Sequence, residues 1–158
     1  MEIYTVAFFG HRYIDNSAGI EGRLEQHIRR LLSGGRYVEF LVGRNGVFDQ
    51  FCCSAVRRVR SQYRDDNSAL ILVLPYITAA YRNNREYYEN YYSEIEISEG
   101  ASRVHPKAAI GIRNREMVDR ADLIICYVDR QNGGAYEAMQ YAIRQGKPTI
   151  NLAEETNR

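Results

Sequence analysis

The groups able to hold an anionic ligand fall just after the most apolar stretches of this sequence. Gly10, His11 and Arg12 follow IYTVAFF; Gly43, Arg44, Asn45, Gly46 and Asp49 follow VEFLV; and the run from Asp129 to Gly134 follows LIICYV. Glycine lets a backbone approach a ligand and bares its N–H groups, and a helix N-terminus adds roughly half a positive charge, so such edges suit phosphate. The plainer alternative is that each glycine only turns the chain.

Glu137 stands three residues beyond Gly134, in the first turn of a helix and one position off its apolar stripe. It reads either as a carboxylate facing a ribose or as one that complements the helix dipole. Asp129 is a candidate for holding sugar hydroxyls. His11 either caps a loop or, beside Arg12, binds phosphate.

Arg113 and Asn114 add an independent signal. Ile110, Met117 and Ala121 form a helical stripe at steps of seven and four whose missing member, position 114, is asparagine. A polar group on an inward face needs an internal partner or a ligand. Asp119 and Asp122 are the internal candidates. The expected ligand-binding set is therefore Gly10, His11, Arg12, Gly43, Asn45, Gly46, Asp49, Asn114, Asp129, Gly133 and Gly134, with Glu137 and Arg113 catalytic if the protein is an enzyme.

These loops need a frame. Five apolar runs, at 3–9, 38–43, 69–75, 123–128 and in GKPTINL near the end, read as buried strands. Between them lie helical stripes: Ile20, Leu24, Ile28, Leu31 and Leu32; then Phe48, Phe51, Cys52, Ala55, Val56 and Val59; then Ala135, Ala138, Met139, Ala142 and Ile143. Pro106 suits the first turn of a further helix. Alternating strands and helices predict a Rossmann-like, doubly wound α/β fold with a mostly parallel five-stranded sheet and helices on both faces. In such sheets ligands bind outside the carboxyl ends of the strands. Residues 1–152 are expected to form one domain, and 153–158 a polar tail.

One stretch does not fit the alternation. Six of the thirteen tyrosines crowd between Tyr76 and Tyr92, within an excursion over about 76–104. Tyrosines stack on bases, and they also enrich protein interfaces. The interface reading is preferred, with a homo-oligomer formed through this region.

Composition narrows the partners. Lysine and arginine number 21 against 20 aspartates and glutamates, a formal charge of +1. A field so weak predicts a small-molecule ligand and no nucleic-acid or membrane partner. Cys52, Cys53 and Cys126 lie in apolar segments, which supports neither disulfides nor a metal site. No cofactor is expected: the G-x-G-x-x-G dinucleotide fingerprint and the G-x-x-x-x-G-K-[ST] phosphate loop are both absent. With no signal peptide and no membrane-spanning run, the expected location is cytoplasmic.

Three segments together, TVAFFGHR, GRNGVFDQFCCSAVRRVR and RNREMVDRADLIICYVDRQNGGAYEAMQYAIRQGKPTINL, resemble the SLOG superfamily, in particular its small, largely uncharacterised bacterial branch. The likeness covers most of the chain outside the tyrosine-rich excursion. The superfamily includes the lonely-guy phosphoribohydrolases, whose R-x-x-x-M-x-x-x-[SA]-D run is matched by Arg113, Met117, Ala121 and Asp122. Their motif glutamate carries over to Glu137. The nucleoside deoxyribosyltransferases place a nucleophilic glutamate four residues after a glycine, the spacing of Gly133 to Glu137.

The resemblance implies binding of a nucleotide or an ADP-ribose-like derivative at the sheet's carboxyl edge, by a sensor or sequestering protein. The alternative it implies is an N-glycosidic bond hydrolase or transferase acting on nucleosides or their monophosphates, with Glu137 as its carboxylate.

Overall fold

The structure, a computed structural model, describes residues 2–155. The last three residues of the expected polar tail, 156–158, lie outside the described residues. Strands β1 (Ile3–Gly10), β2 (Tyr37–Val42) and β3 (Ser68–Leu74) alternate with helices α1 (Ile20–Leu32) and α2 (Val47–Gln62). Two short helices, α3 (Ala79–Asn83) and α4 (Arg85–Tyr91), lead to β4 (Glu94–Ile97). Then come α5 (Pro106–Arg120), β5 (Leu123–Tyr127), α6 (Gly134–Arg144) and β6 (Thr149–Asn151).

The sheet has six strands in the order β4-β3-β2-β1-β5-β6, and every neighbouring pair is parallel. The expected count of five is thus corrected to six. The additional strand, β4, lies inside the tyrosine-rich excursion. It is a four-residue edge strand, EIEI, too short and too charged to stand out as an apolar run.

The continuous apolar runs follow from burial on both faces. In β1, Val6 and Phe8 join the core beneath α1, α2 and α4. Ala7 and Phe9, the alternate residues, join the core beneath α5 and α6. Each face therefore needs its own helical cover.

The tyrosine-rich segment contributes to the first of these cores. Tyr81, Tyr88 and Tyr92 are buried there, while Tyr87 stays exposed. Half of the six tyrosines are thus spent inside the protein.

From β1 the chain steps outward through β2 and β3 to β4; α5 then carries it back to β5, on the other side of β1. The reversal falls between β1 and β5. At that point the loops at the carboxyl ends diverge to opposite faces and leave a crevice.

Candidate functional site at the carboxyl edge of β1 and β5

A cavity of about 360 Å³ occupies this crevice. Of the residues singled out in the sequence, Gly10, His11, Arg12, Gly43, Asn45, Asp49, Arg113, Asn114, Gly133 and Gly134 line it. Gly46 lines a second cavity on the far side of its own loop. Glu137 is exposed and lines a separate groove between α5 and α6. Asp129 lies beside the cavity without lining it, with its carboxylate 3.1 Å from Arg130 Nε and 3.3 Å from His11 Nε2.

Arg113 is the deepest cation, only 2% exposed. Its Nε donates to Asn114 Oδ1 at 3.0 Å and its Nη1 to the Val73 carbonyl at 2.9 Å. The internal partners are therefore a side-chain amide and a strand carbonyl, rather than Asp119 or Asp122. Those carboxylates accept from the Tyr141 hydroxyl and the Thr5 amide. Nη2 of Arg113 has no hydrogen-bond partner among the described residues. Burial pulls the Arg113 pKa down and Asp49 opposes this; a guanidinium starts so high that it stays charged.

Asp49 sits opposite. Burial pushes its carboxyl above the usual value, held back by the Asn45 amide and by Arg113. The Asn45 N–H donates to Asp49 Oδ2 at 2.8 Å, so this residue fixes the β2–α2 turn as well as lining the cavity.

His11 is buried, and its Nε2 accepts from the Asp129 amide at 3.2 Å. Burial lowers its pKa, Arg130 lowers it further and Asp129 raises it. A neutral ring accepting at Nε2 carries its proton on Nδ1. The imidazole thereby ties the β1 loop to the β5 loop.

The glycines divide into two groups. A Cβ on Gly10 would lie 2.2 Å from the Phe48 ring, one on Gly43 2.9 Å from Arg113 Nη1, and one on Gly46 2.3 Å from the Arg12 Cα. These three are glycine because the protein itself fills the space. Gly133, at φ +92°, holds a left-handed turn that favours glycine. Gly134 has ordinary backbone, and a Cβ there would meet nothing within 4 Å. Its missing side chain leaves open space over the start of α6, where no side chain caps the helix. Among the described residues the amides of Gly134 and Ala135, both of which line the cavity, have no hydrogen-bond partner.

Arg130, Tyr13 and Asn132 also line the cavity and were not singled out in the sequence. Arg130 reaches Asp129 Oδ1 and the Tyr13 carbonyl. The signal was present: Arg130 lies within the same post-strand run as Gly133. With Arg12, whose Nε donates to the Asn45 carbonyl at 2.9 Å, three guanidinium groups surround the space against one carboxyl of raised pKa.

Among the described residues, no group of three or more His, Cys, Asp and Glu side chains is placed to hold a metal ion. No helix there is long and apolar enough to cross a membrane.

The chain matches no known family model and no curated protein. It is similar in fold to the DNA processing protein A, DprA, of Streptococcus pneumoniae, with a TM-score of 0.64 at 16% identity over 93% of this chain and 49% of that one. It is also similar to DNA processing protein A of Helicobacter pylori, with a TM-score of 0.62 at 16% identity over 92% of this chain and 63% of that one. The chain thus spans from about half to under two thirds of the length of these proteins. At this identity the likeness shows the fold, a Rossmann-like α/β architecture.

The Helicobacter protein is described by its single-stranded DNA binding mode. This overturns the expectation that a near-neutral chain has no nucleic-acid partner. Net charge averages over the whole surface, and a neutral total is compatible with three arginines gathered at one crevice.

Proposed function

We propose that the cavity between β1 and β5 binds the phosphate of a nucleotide unit, either free or carried in a single strand of nucleic acid. One observation carries the reading: the unpartnered Nη2 of Arg113 and the uncapped start of α6 meet across open space that Gly134 leaves unfilled. Cationic nitrogens and unpaired amides are the donors a phosphate accepts from. Arg12 and Arg130 add charge at the rim.

The fold likeness to a protein described as binding single-stranded DNA supports the strand as one source of that phosphate. The resemblance to the SLOG superfamily supports the free nucleotide or ADP-ribose derivative as the other. An N-glycosidic enzyme needs its carboxylate at the sugar, and Glu137 lines the neighbouring groove instead, so binding is the reading we favour.

A panel of nucleoside monophosphates, ADP-ribose and short single-stranded oligonucleotides tests this by thermal unfolding. A ligand of the native state at 100 times its Kd stabilises by about 2.7 kcal/mol. Inorganic phosphate should compete, and strand binding should weaken as salt rises. No stabilisation by any member of the panel would refute the reading.

A further inference from the structure

The second cavity, of about 300 Å³, shares Gly43 and Asp49 with the first and lies on the other side of the Asn45–Gly46 turn. Its lining comes from the turn between β2 and α2, from α2 and from the tyrosine-rich segment, notably Arg44, Gln50, Ser54, Tyr87, Tyr91 and Tyr92. It is here that this segment approaches the carboxyl edge of the sheet.

Arg44 is held in place by tyrosines. Its Nη1 donates to the Tyr92 hydroxyl at 2.9 Å, and its guanidinium lies 4.6 Å from the Tyr88 ring centroid and 5.8 Å from that of Tyr87. Its Nε and Nη2 have no hydrogen-bond partner among the described residues.

The ring faces are largely taken. Arg57 lies 4.0 Å from the Tyr91 centroid, and Tyr87 stacks on Tyr91 at 5.9 Å. A base would find little open face. What remains are the edges: a fixed guanidinium, phenol and serine hydroxyls, an amide, and the Asp49 carboxyl, which burial pushes above its usual value. Burial raises the Tyr91 and Tyr92 phenols, so they stay protonated and can donate. Such a set of donors matches an anion.

Two arginines flank the wall between the cavities. Arg12 Nε donates to the Asn45 carbonyl from the first side, and Gly46 packs so closely that a Cβ would lie 2.3 Å from the Arg12 Cα. Arg44, the residue before Asn45, faces the second side. The partition is a single turn of backbone. A packing role explains the ring contacts of Arg44 but not why unused donors surround an open space.

We propose that the cavity beside Arg44 is a second phosphate subsite, so that the protein recognises two successive phosphates of one ligand across the Asn45–Gly46 turn. This rests on reading the cavity between β1 and β5 as the first.

The test compares thymidine 5′-monophosphate with the 5′-phosphorylated thymidine dinucleotide by calorimetric titration. The dinucleotide should bind wild-type protein about tenfold more tightly, the return from one added charge-assisted contact. Arg44→Ala should erase that advantage and leave the mononucleotide affinity within about twofold, well under one such contact. Because Arg44→Ala removes ring contacts too, Ser54→Asp serves as a second variant: it places a negative charge in the cavity without touching the tyrosine stack. Equal affinity of wild type for the two ligands would overturn the second subsite alone, as would a full dinucleotide advantage retained in both variants. Binding of neither ligand would overturn the two-phosphate reading, while the first site stands or falls on the full nucleotide panel.

Discussion

Arg113, on α5, donates from Nη1 to the backbone carbonyl of Val73 in β3 at 2.9 Å. With Nε committed to Asn114, two of the three guanidinium nitrogens hold the fold and one is left for a ligand. The cation is thus oriented before any anion arrives, and little of its side-chain freedom remains to be lost on binding.

The same bonds make Arg113 structural. Arg113→Met should leave the Val73 carbonyl and the Asn114 amide unsatisfied and destabilise the protein by roughly 2–4 kcal/mol. Urea denaturation measures this. Arg113→Lys restores the charge without the planar fork and should recover only part of the loss. A cost below about 1 kcal/mol for Arg113→Met would show that these bonds are replaced by water.

The fold was legible wherever burial is two-sided. IYTVAFF reads as a strand because Val6 and Phe8 serve one core while Ala7 and Phe9 serve the other. The β4 segment was not legible because Glu94 is exposed and Glu96 pairs with Arg120, leaving only two apolar residues. At the site, the loops after β1, β2 and β5 could be named from the sequence. Whether a residue faces the crevice depends on helix phase and on who pairs with whom. Helix phase turns Glu137 to the next groove, and pairing turns the Asp129 carboxylate to Arg130 and His11. Nor does a sequence distinguish Gly10, against which Phe48 packs, from Gly134, against which nothing packs.

His11 gives the protein a pH-dependent weakness. Its folded pKa lies below the usual histidine value of about 6.5, through burial first and Arg130 second, with Asp129 opposing. The unfolded chain therefore binds the proton more readily. Stability is fully present above about 6.5 and falls as pH drops below it toward the lowered folded pKa. His11→Gln should flatten the profile of unfolding free energy between about pH 7 and 5 relative to wild type. An unchanged slope would assign the acid sensitivity to other groups.

Arg120 bridges Glu39 of β2 and Glu96 of β4, each at 2.8 Å. All three side chains retain access to water, so screening limits their value. Arg120→Ala should cost less than about 1 kcal/mol, and the difference from wild type should shrink further in high salt. Chemical denaturation at two salt concentrations checks this, and a larger, salt-independent loss would point to packing by the arginine stem.

The two kinds of glycine predict opposite outcomes for the same type of change. Gly10→Ala would set a methyl group 2.2 Å from the fully buried Phe48 ring and should destabilise by about 1–3 kcal/mol or more, because a packed core yields only by strain. Gly134→Leu enters open space at the first position of α6. It should leave stability unchanged or raise it by up to about 1 kcal/mol, since glycine is the poorer helix residue. Yet the leucine projects where the phosphate is proposed to sit. Thermal unfolding paired with titration of thymidine 5′-monophosphate should therefore show a stable protein that no longer binds. Unimpaired binding by Gly134→Leu would mean that the ligand does not approach the start of α6.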